Sequence, residues 1–313
     1  MPISPDAQDV IMQSFRPSTR LQYKTYLSKW ETFAKERGED QHAPTAEALV
    51  DFLFVLHKDG LGHSALCTAR SAVASLCING THTIGNHPLV KRFLKGAFNV
   101  NPTLPKTSVV WDPSVVILYI KGKEQAEDLN LKDLTLKLTM LLALLSTQRI
   151  QTLALLNTDH LSLEKDKATF RVDKLLKQSR PGHHIGNIEL SNYPHCRRLC
   201  VVTTLREYLR RTKVLRGDTK SLLLSYVKPH KAVCSATIGR WLKVILAKAG
   251  IDKHYSAHST RKAASSKAAF CHVPIDSIMK SAGWSRASTF QRHYQKPITQ
   301  FGSVGLALLD SAQ

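Results

Sequence analysis

Residues 258–296 read HSTRKAASSKAAFCHVPIDSIMKSAGWSRASTFQRHYQK. His258 and Arg261 stand three apart, so they share one face of a helix turn and both can address a single phosphate. Gly283-Trp284 reads as a helix stop. A further helix from about Ser288 is expected to carry Tyr294, ten residues beyond Trp284, so that its phenol can fold back towards the same place. Each feature alone is commonplace: a His-x-x-Arg in a basic helix is usually a solvated face, and a late tyrosine is usually core. Their order along one stretch is what carries information.

Taken together and in this order, His258-Ser259-Thr260-Arg261, Gly283-Trp284 and His293-Tyr294 resemble the C-terminal signature of the tyrosine recombinases, the class of phage integrases and bacterial chromosome-dimer resolvases. The resemblance demands a further arginine at the end of a buried helix about a hundred residues upstream, and a lysine at a β-hairpin between the two. Arg149 meets the first demand, directly after the run Leu141-Leu142-Ala143-Leu144-Leu145-Ser146-Thr147-Gln148. A charge placed there would be anomalous without an anion to bind. Lys177, in Leu175-Leu176-Lys177-Gln178-Ser179-Arg180-Pro181-Gly182, meets the second, with Lys174 as the competing candidate. The stretches around Arg149, Lys177 and Trp284 look most like recombinases of eukaryotic DIRS-like and Ngaro-like retroelements, with Crypton-type elements next. Two departures stand out. Thr152 replaces the acid that many members carry three residues after the first arginine, and the step from Trp284 to Tyr294 is one residue longer than the nine common in bacterial members.

The resemblance implies a catalytic set of Arg149, Lys177, His258, Arg261, Trp284 and Tyr294 that needs neither metal nor ATP nor any other cofactor. The arginines would grip the non-bridging oxygens bidentately, His258 and Trp284 would add hydrogen bonds or packing, Lys177 would protonate the leaving 5′-oxygen, and Tyr294 would form a 3′-phosphotyrosyl ester that stores the bond energy for rejoining. Since a phenol in water is mostly neutral at pH 7, His258 or the surrounding positive charge should help remove its proton. The implied role is site-specific integration of a mobile element. A catalytically silent DNA-binding derivative, a type IB topoisomerase and, from another class, a helical adaptor for RNA or acidic protein are the alternatives. The family also docks a short segment after the nucleophile onto a neighbouring protomer. Here that segment would be Phe301, Val304, Leu306, Leu308 and Leu309, in a homotetramer on double-stranded DNA, against a bland alternative of local self-packing.

Outward from the site, the expected fold is mainly α with a small β-hairpin: an all-α core-binding domain over residues 1–100, a linker over 101–107 containing Pro102 and Pro105, and a mixed α+β catalytic domain over 108–313. Four helices are expected in the first domain. One starts at Pro17 with Tyr23, Tyr26, Trp30 and Phe33 on one face; the others begin at Pro44-Thr45, at about Ser64 (running to Cys77, with Asn79-Gly80 as the stop) and at Pro88 (running to Ala97). After the linker, Asp112-Pro113 caps a helix to Ile120, and residues Leu131 to Leu145 form a central buried helix. A hairpin spans Ala168–Val172 and His184–Leu190 with Pro181-Gly182 at its turn, and helices resume from Val201.

Composition agrees with a polyanionic partner. There are 44 Lys and Arg against 24 Asp and Glu, a formal charge of +20 over 313 residues, which fits nucleic acid or an acidic membrane. The longest apolar runs, Val115 to Ile120 and Met140 to Leu145, are far short of the roughly 18–20 residues of a span, so no membrane partner is expected. The N-terminus lacks a basic region followed by an apolar one, which argues against secretion; with the resemblance to eukaryotic elements, nuclear residence is expected. The cysteines at 67, 77, 196, 200, 234 and 271 form no Cys-x-x-Cys pair. His195-Cys196-Cys200 with His183-His184 upstream match no common zinc spacing, so neither disulfide framework nor metal is expected. Arg180, Arg197, Arg198, Arg240, Lys243 and Lys262 are the expected DNA contacts, and Arg206, Arg210, Arg211 and Lys213 are further candidates for tracking phosphates.

Overall fold

A computed structural model describes residues 4–76, 84–102, 109–177, 179–182, 184–285, 287–294 and 296–298. The chain divides into two compact units, Met1–Lys106 and Thr107–Gln313.

The first unit is helical among its described residues: α1 (Pro5–Met12), α2 (Pro17–Arg37), α3 (Ala46–Lys58), α4 (His63–Ala74) and α5 (Pro88–Val100), with a 3-10 turn at Ile84–Asn86. The start signals operate as side-chain chemistry requires. Thr45 accepts a hydrogen bond from the Ala48 amide, and His87 from that of Leu89, each satisfying a donor the helix itself cannot pair. Gly38 ends α2 at φ 69, a left-handed backbone that a side chain resists. Trp30, Phe33 and Phe52 meet at ring distances of 5.4–5.7 Å over Leu49, Leu53, Leu66, Val73, Val90 and Leu94, all buried. Two expectations are corrected. Five α-helices rather than four lie among the described residues, because Ser4 caps a short α1 too weakly patterned to be read in advance, and α5 runs three residues past Ala97. The expected helix end at Cys77 and stop at Asn79-Gly80 lie outside the described residues, as do linker positions 103–107.

The second unit is built around α7 (Leu131–Leu145), preceded by α6 (Pro113–Lys121). Every residue of α7 from Leu134 to Leu144 is buried, which is why its apolar residues cover so much of its circumference. After α8 (Ile150–Ala154) come β1 (Leu161–Leu163), β2 (Lys167–Phe170) and β3 (Ile188–Ser191), an antiparallel sheet in the order β1-β2-β3. The hairpin expectation is corrected here as well. The sheet has a third strand, β1, whose three residues are too short for an alternation to register, and β3 begins at Ile188, so none of the described residues between 171 and 187 belongs to a named strand. Then follow α9 (Val201–Thr212), α10 (Ser235–Lys248), α11 (Ser259–Phe270), α12 (Ile275–Ala282) and α13 (Ala287–His293). α9, α10 and α11 all contact α7. A separate small core of Ile278, Ala282, Trp284 and Phe290 seats α13. No described helix is long and apolar enough to cross a membrane.

Candidate active site

Arg149 sits where α7 ends and α8 begins. Ser146 terminates α7 with its hydroxyl on the Leu142 carbonyl, and Thr147 then adopts φ 51, a left-handed conformation uncommon for a β-branched residue and held only where surroundings over-determine it. They do so here. The Thr147 hydroxyl pairs with that of Ser281 at 3.2 Å, Ser281 donates to the Ser146 carbonyl at 3.2 Å, and Gln148 Nε2 donates to the Ser281 carbonyl at 2.5 Å. The turn that presents Arg149 is thereby tied to the end of α12. Arg149 is half-buried and its carbonyl accepts from the amides of Thr152 and Leu153. Thr152, standing where an acid is common, is buried.

Arg261 is 2% exposed. Its Nη1 donates to the Thr147 carbonyl at 2.8 Å and its Nη2 to the Ala282 carbonyl at 2.9 Å, so the same guanidinium bonds the turn before Arg149 and the turn before Trp284. Gly283 makes that second turn possible at φ 68, with the Trp284 amide returning to the Met279 carbonyl. The Trp284 ring then lies 4.4 Å from the Arg261 guanidinium and 4.3 Å from the Tyr294 ring, and Tyr294 is 5.5 Å from the same cation. Tyr294 was expected on a helix; it follows the last residue of α13 in a turn, with its amide still bonded to the Phe290 carbonyl at 2.8 Å. The ten-residue step is absorbed there without separating the rings. The Trp284 indole N–H and Arg261 Nε are buried and find no hydrogen-bond partner among the described residues, donors an added anion could satisfy.

His258 precedes α11 as its N-cap residue, one turn before Arg261. Partial desolvation and then the charges of Arg261, Arg149, Lys262 and Lys177 hold its imidazole below the ordinary histidine value. One group therefore feels all four cations, which come from α11, the α7–α8 turn and the β2–β3 connection. Burial and the neighbouring Arg149 push Arg261 below its usual value, partly offset by the Tyr294 phenol; a guanidinium remains charged at neutral pH nonetheless. Lys177 is exposed in a tight turn, in which Ser179 Oγ accepts from the Leu176 amide at 2.9 Å while the Ser179 amide donates to the Leu176 carbonyl. Leu176, 1% exposed, anchors this turn. Lys174 is exposed in the same connection, as is Arg180.

The other basic residues separate into different neighbourhoods. Lys262 adjoins the site. Arg240 and Lys243 are exposed one turn apart on α10, Arg240 bonding Thr237 at 2.8 Å. Arg197 pairs with Glu127 at 2.5 Å, and Arg198 acts on Lys137, which lies eight residues, about 12 Å, back along α7 from its end. Both are therefore outside the Arg149 cluster. Arg210 and Arg211 are held by Glu207 at 2.8 and 2.6 Å, and Arg206 by the carbonyls of Glu164 and Lys165. These arginines serve the fold, whatever else they touch. Among the described residues no group of three His, Cys, Asp or Glu side chains converges to hold a metal ion; Cys200 instead donates to Asn192 and accepts from the Thr203 amide.

Sequence reasoning passed over Thr147, Gln148, Ser281 and Ser266, polar residues whose part in the site comes from hydrogen bonds to residues far along the chain, which a string of letters does not show.

The residues from 123 to 300, more than half of the chain, match the phage integrase family. No curated protein matches in sequence. Among similar solved structures are the Tn1549 transposon integrase in complex with transposon right end DNA (TM-score 0.60, 12% identity, covering 98% of this chain and 96% of that one) and the XerH site-specific recombinase bound to palindromic difH substrate in a post-cleavage complex (TM-score 0.60, 16%, 93% and 78%). A λ integrase dimer bound to a COC′ core site is also similar (TM-score 0.55, 14%, 95% and 96%). At these identities the likeness is one of fold. The mostly helical architecture with its small antiparallel sheet and the family match over the whole span from α7 to Pro297 lead to one conclusion: this chain belongs to the phage integrase family, the tyrosine recombinases.

Proposed function

We propose that the protein is a site-specific DNA recombinase that cuts a strand with Tyr294, holds it as a 3′-phosphotyrosyl ester and rejoins it to another 5′-hydroxyl. The observation that carries this reading is the buried Arg261 guanidinium, bonded to the turn that presents Arg149 and to the turn before Trp284, with the Trp284 and Tyr294 rings 4.4 and 5.5 Å from it. A pentacoordinate phosphorane needs fixed positive donors, an oxygen nucleophile and an acid for the departing alkoxide, and this set with Lys177 contains all three. In the proposed step the Tyr294 oxygen attacks phosphorus, the bond from phosphorus to the 5′-oxygen breaks, and Lys177 gives that oxygen its proton. His258, kept in its neutral form at pH 7 by partial desolvation and then by its cationic neighbours, takes the phenol proton. The ester conserves bond energy, so strand transfer needs no ATP, and the donors themselves take the part that a metal plays in other nucleases.

The substrate is double-stranded DNA, and integration of a mobile element in the nucleus is the setting we infer from the resemblance to eukaryotic elements. Assembly on DNA as a tetramer is part of the same reading. The apolar segment Phe301 to Leu309 lies outside the described residues; in this reading it docks on a neighbouring copy, for which a groove of about 310 Å³ whose lining includes Ile117, Leu144, Leu145 and Ile278 beside Lys267 and Ser277 is the candidate seat, and truncation after Gln300 is then expected to weaken synapsis more than DNA binding.

The test is covalent trapping on a nicked duplex, with the linked residue located by mass spectrometry. Tyr294→Phe is expected to abolish the adduct while leaving binding intact, and chelators are expected to leave wild-type cleavage unchanged. Equal adduct from the mutant would refute the assignment. Supercoil relaxation without strand transfer would identify a topoisomerase instead.

A further inference from the structure

The nucleophile needs more than a family position: its oxygen must be held within a fraction of an ångström of an in-line approach to phosphorus. The apolar seat available for this is slight. Four buried residues, Ile278, Ala282, Trp284 and Phe290, make the core under α13, and Tyr294 itself is only half-buried at its edge. Helix α13 has seven residues and ends before the tyrosine. Polar contacts to the backbone on either side of Tyr294 are therefore the natural place to look for what fixes its register.

One side chain makes two such contacts. Ser266, 3% exposed on α11, donates its hydroxyl to the Tyr294 carbonyl and accepts from the Lys296 amide at 3.1 Å. Its hydroxyl is thereby engaged as both donor and acceptor by the backbone flanking the nucleophile. Ser266 lies five residues after Arg261 on the same helix, a rise of about 7.5 Å. A single rigid element thus carries the guanidinium that would grip the phosphate and the hydroxyl that spaces the attacking residue from it. On the far side, the Val110 amide donates to the Pro297 carbonyl at 3.1 Å, and the following residues, Trp111 and Asp112, bond Ser259 and Lys267 of α11. Tyr294, Lys296 and Pro297 are thus held to α11 directly and through the stretch from Val110 to Asp112.

We propose that Ser266 is a positioning residue for the nucleophile, setting the distance of Tyr294 from Arg261 through the backbone rather than touching DNA. This rests on the reading of Tyr294 as the nucleophile. Displacement of about 1 Å at a reacting atom costs on the order of 100-fold, so loss of this hydroxyl is expected to slow the chemical step while leaving the phosphate-binding groups in place.

The experiment compares Ser266→Ala, Ser266→Thr and Ser265→Ala in the full chain, on a nicked duplex at saturating protein. Ser265 is as buried as Ser266, but its hydroxyl bonds only carbonyls of its own helix, Arg261 and Lys262, so it controls for the loss of a buried hydroxyl. Expected are a fall of about 10- to 100-fold in the single-turnover rate of adduct formation for Ser266→Ala, DNA affinity within twofold of wild type, a rate near wild type for Ser265→Ala, and recovery in Ser266→Thr, which restores the hydroxyl. Thermal unfolding of each variant separates a rate effect from loss of folded protein. Wild-type rate in Ser266→Ala would overturn the proposal, as would equal slowing in Ser265→Ala; should Ser266→Ala not fold, a Ser266→Thr that folds but cuts at less than a tenth of the wild-type rate would do the same. Mapping of the wild-type adduct to a residue other than Tyr294 is a separate failure, of the functional reading itself.

Discussion

Replacing Arg261 with lysine keeps the charge but removes the fork. The guanidinium bonds the Thr147 and Ala282 carbonyls at 2.8 and 2.9 Å and lies 4.4 Å from the Trp284 ring. A hydrogen bond from a charged group contributes about 1.5–3 kcal/mol net, and a desolvated cation–π contact about 1–2 kcal/mol. A lysine ammonium is a point donor that reaches one carbonyl and leaves the other buried and unpaired. Arg261→Lys is therefore expected to destabilise the catalytic unit by about 2–4 kcal/mol. For a domain of this size, a Tm shift of roughly 2–4 °C per kcal/mol makes that about 4–16 °C, read by calorimetry or near-ultraviolet circular dichroism. Adduct formation should fall with it, and should stay low at temperatures where the variant is fully folded, since the bidentate phosphate grip proposed for Arg261 would also be lost. A variant melting within about 2 °C of wild type would refute the claim that this arginine joins the Arg149 and Trp284 turns.

His258 is held below its ordinary value in the free protein by partial desolvation and then by its cationic neighbours, and a bound phosphate would raise it, so DNA binding should take up protons on the acid side of neutrality, while at neutral pH and above the imidazole is still free to act as a base. Affinity by fluorescence anisotropy is expected to fall as pH rises through that window, and His258→Gln to flatten the profile. Glu207 is held at about 2 by Arg210, Arg211 and their hydrogen bonds, against the cost of burial. A depressed carboxylate contributes stability that is fully present above its unfolded value and is lost as pH falls towards the folded one. With Arg210 exposed and screened, Glu207→Gln should cost about 1–3 kcal/mol in urea unfolding at pH 7 and progressively less from about pH 4.5 down to 2. If Lys177 protonates the leaving oxygen, Lys177→Ala should cut ordinary DNA slowly but regain its rate on a 5′-bridging phosphorothioate, whose sulfur departs without a proton; the same rescue in Lys174→Ala instead would move the role to that residue.

How much of this was legible in the sequence follows from the range of each interaction. The bounds of α7, the capping of α3 by Thr45 and of α6 by Asp112, and the stop at Gly283 could be read in advance because helices are made by contacts three and four residues apart. The order of His258, Arg261, Trp284 and Tyr294 was equally legible, lying within one stretch. Tertiary structure alone decided the rest. Strand β1 exists because β2 pairs with it, and Arg211 turns inward to Glu207 and the Leu129 carbonyl although its letter is that of a solvated basic face. Thr147, Ser281 and Ser266 are ordinary small polar residues in the sequence. They become parts of a site because Ser281 and Ser266 meet backbone or hydroxyl groups 134, 135, 28 and 30 residues away, and pairings at such separations leave no periodic trace in the chain that makes them.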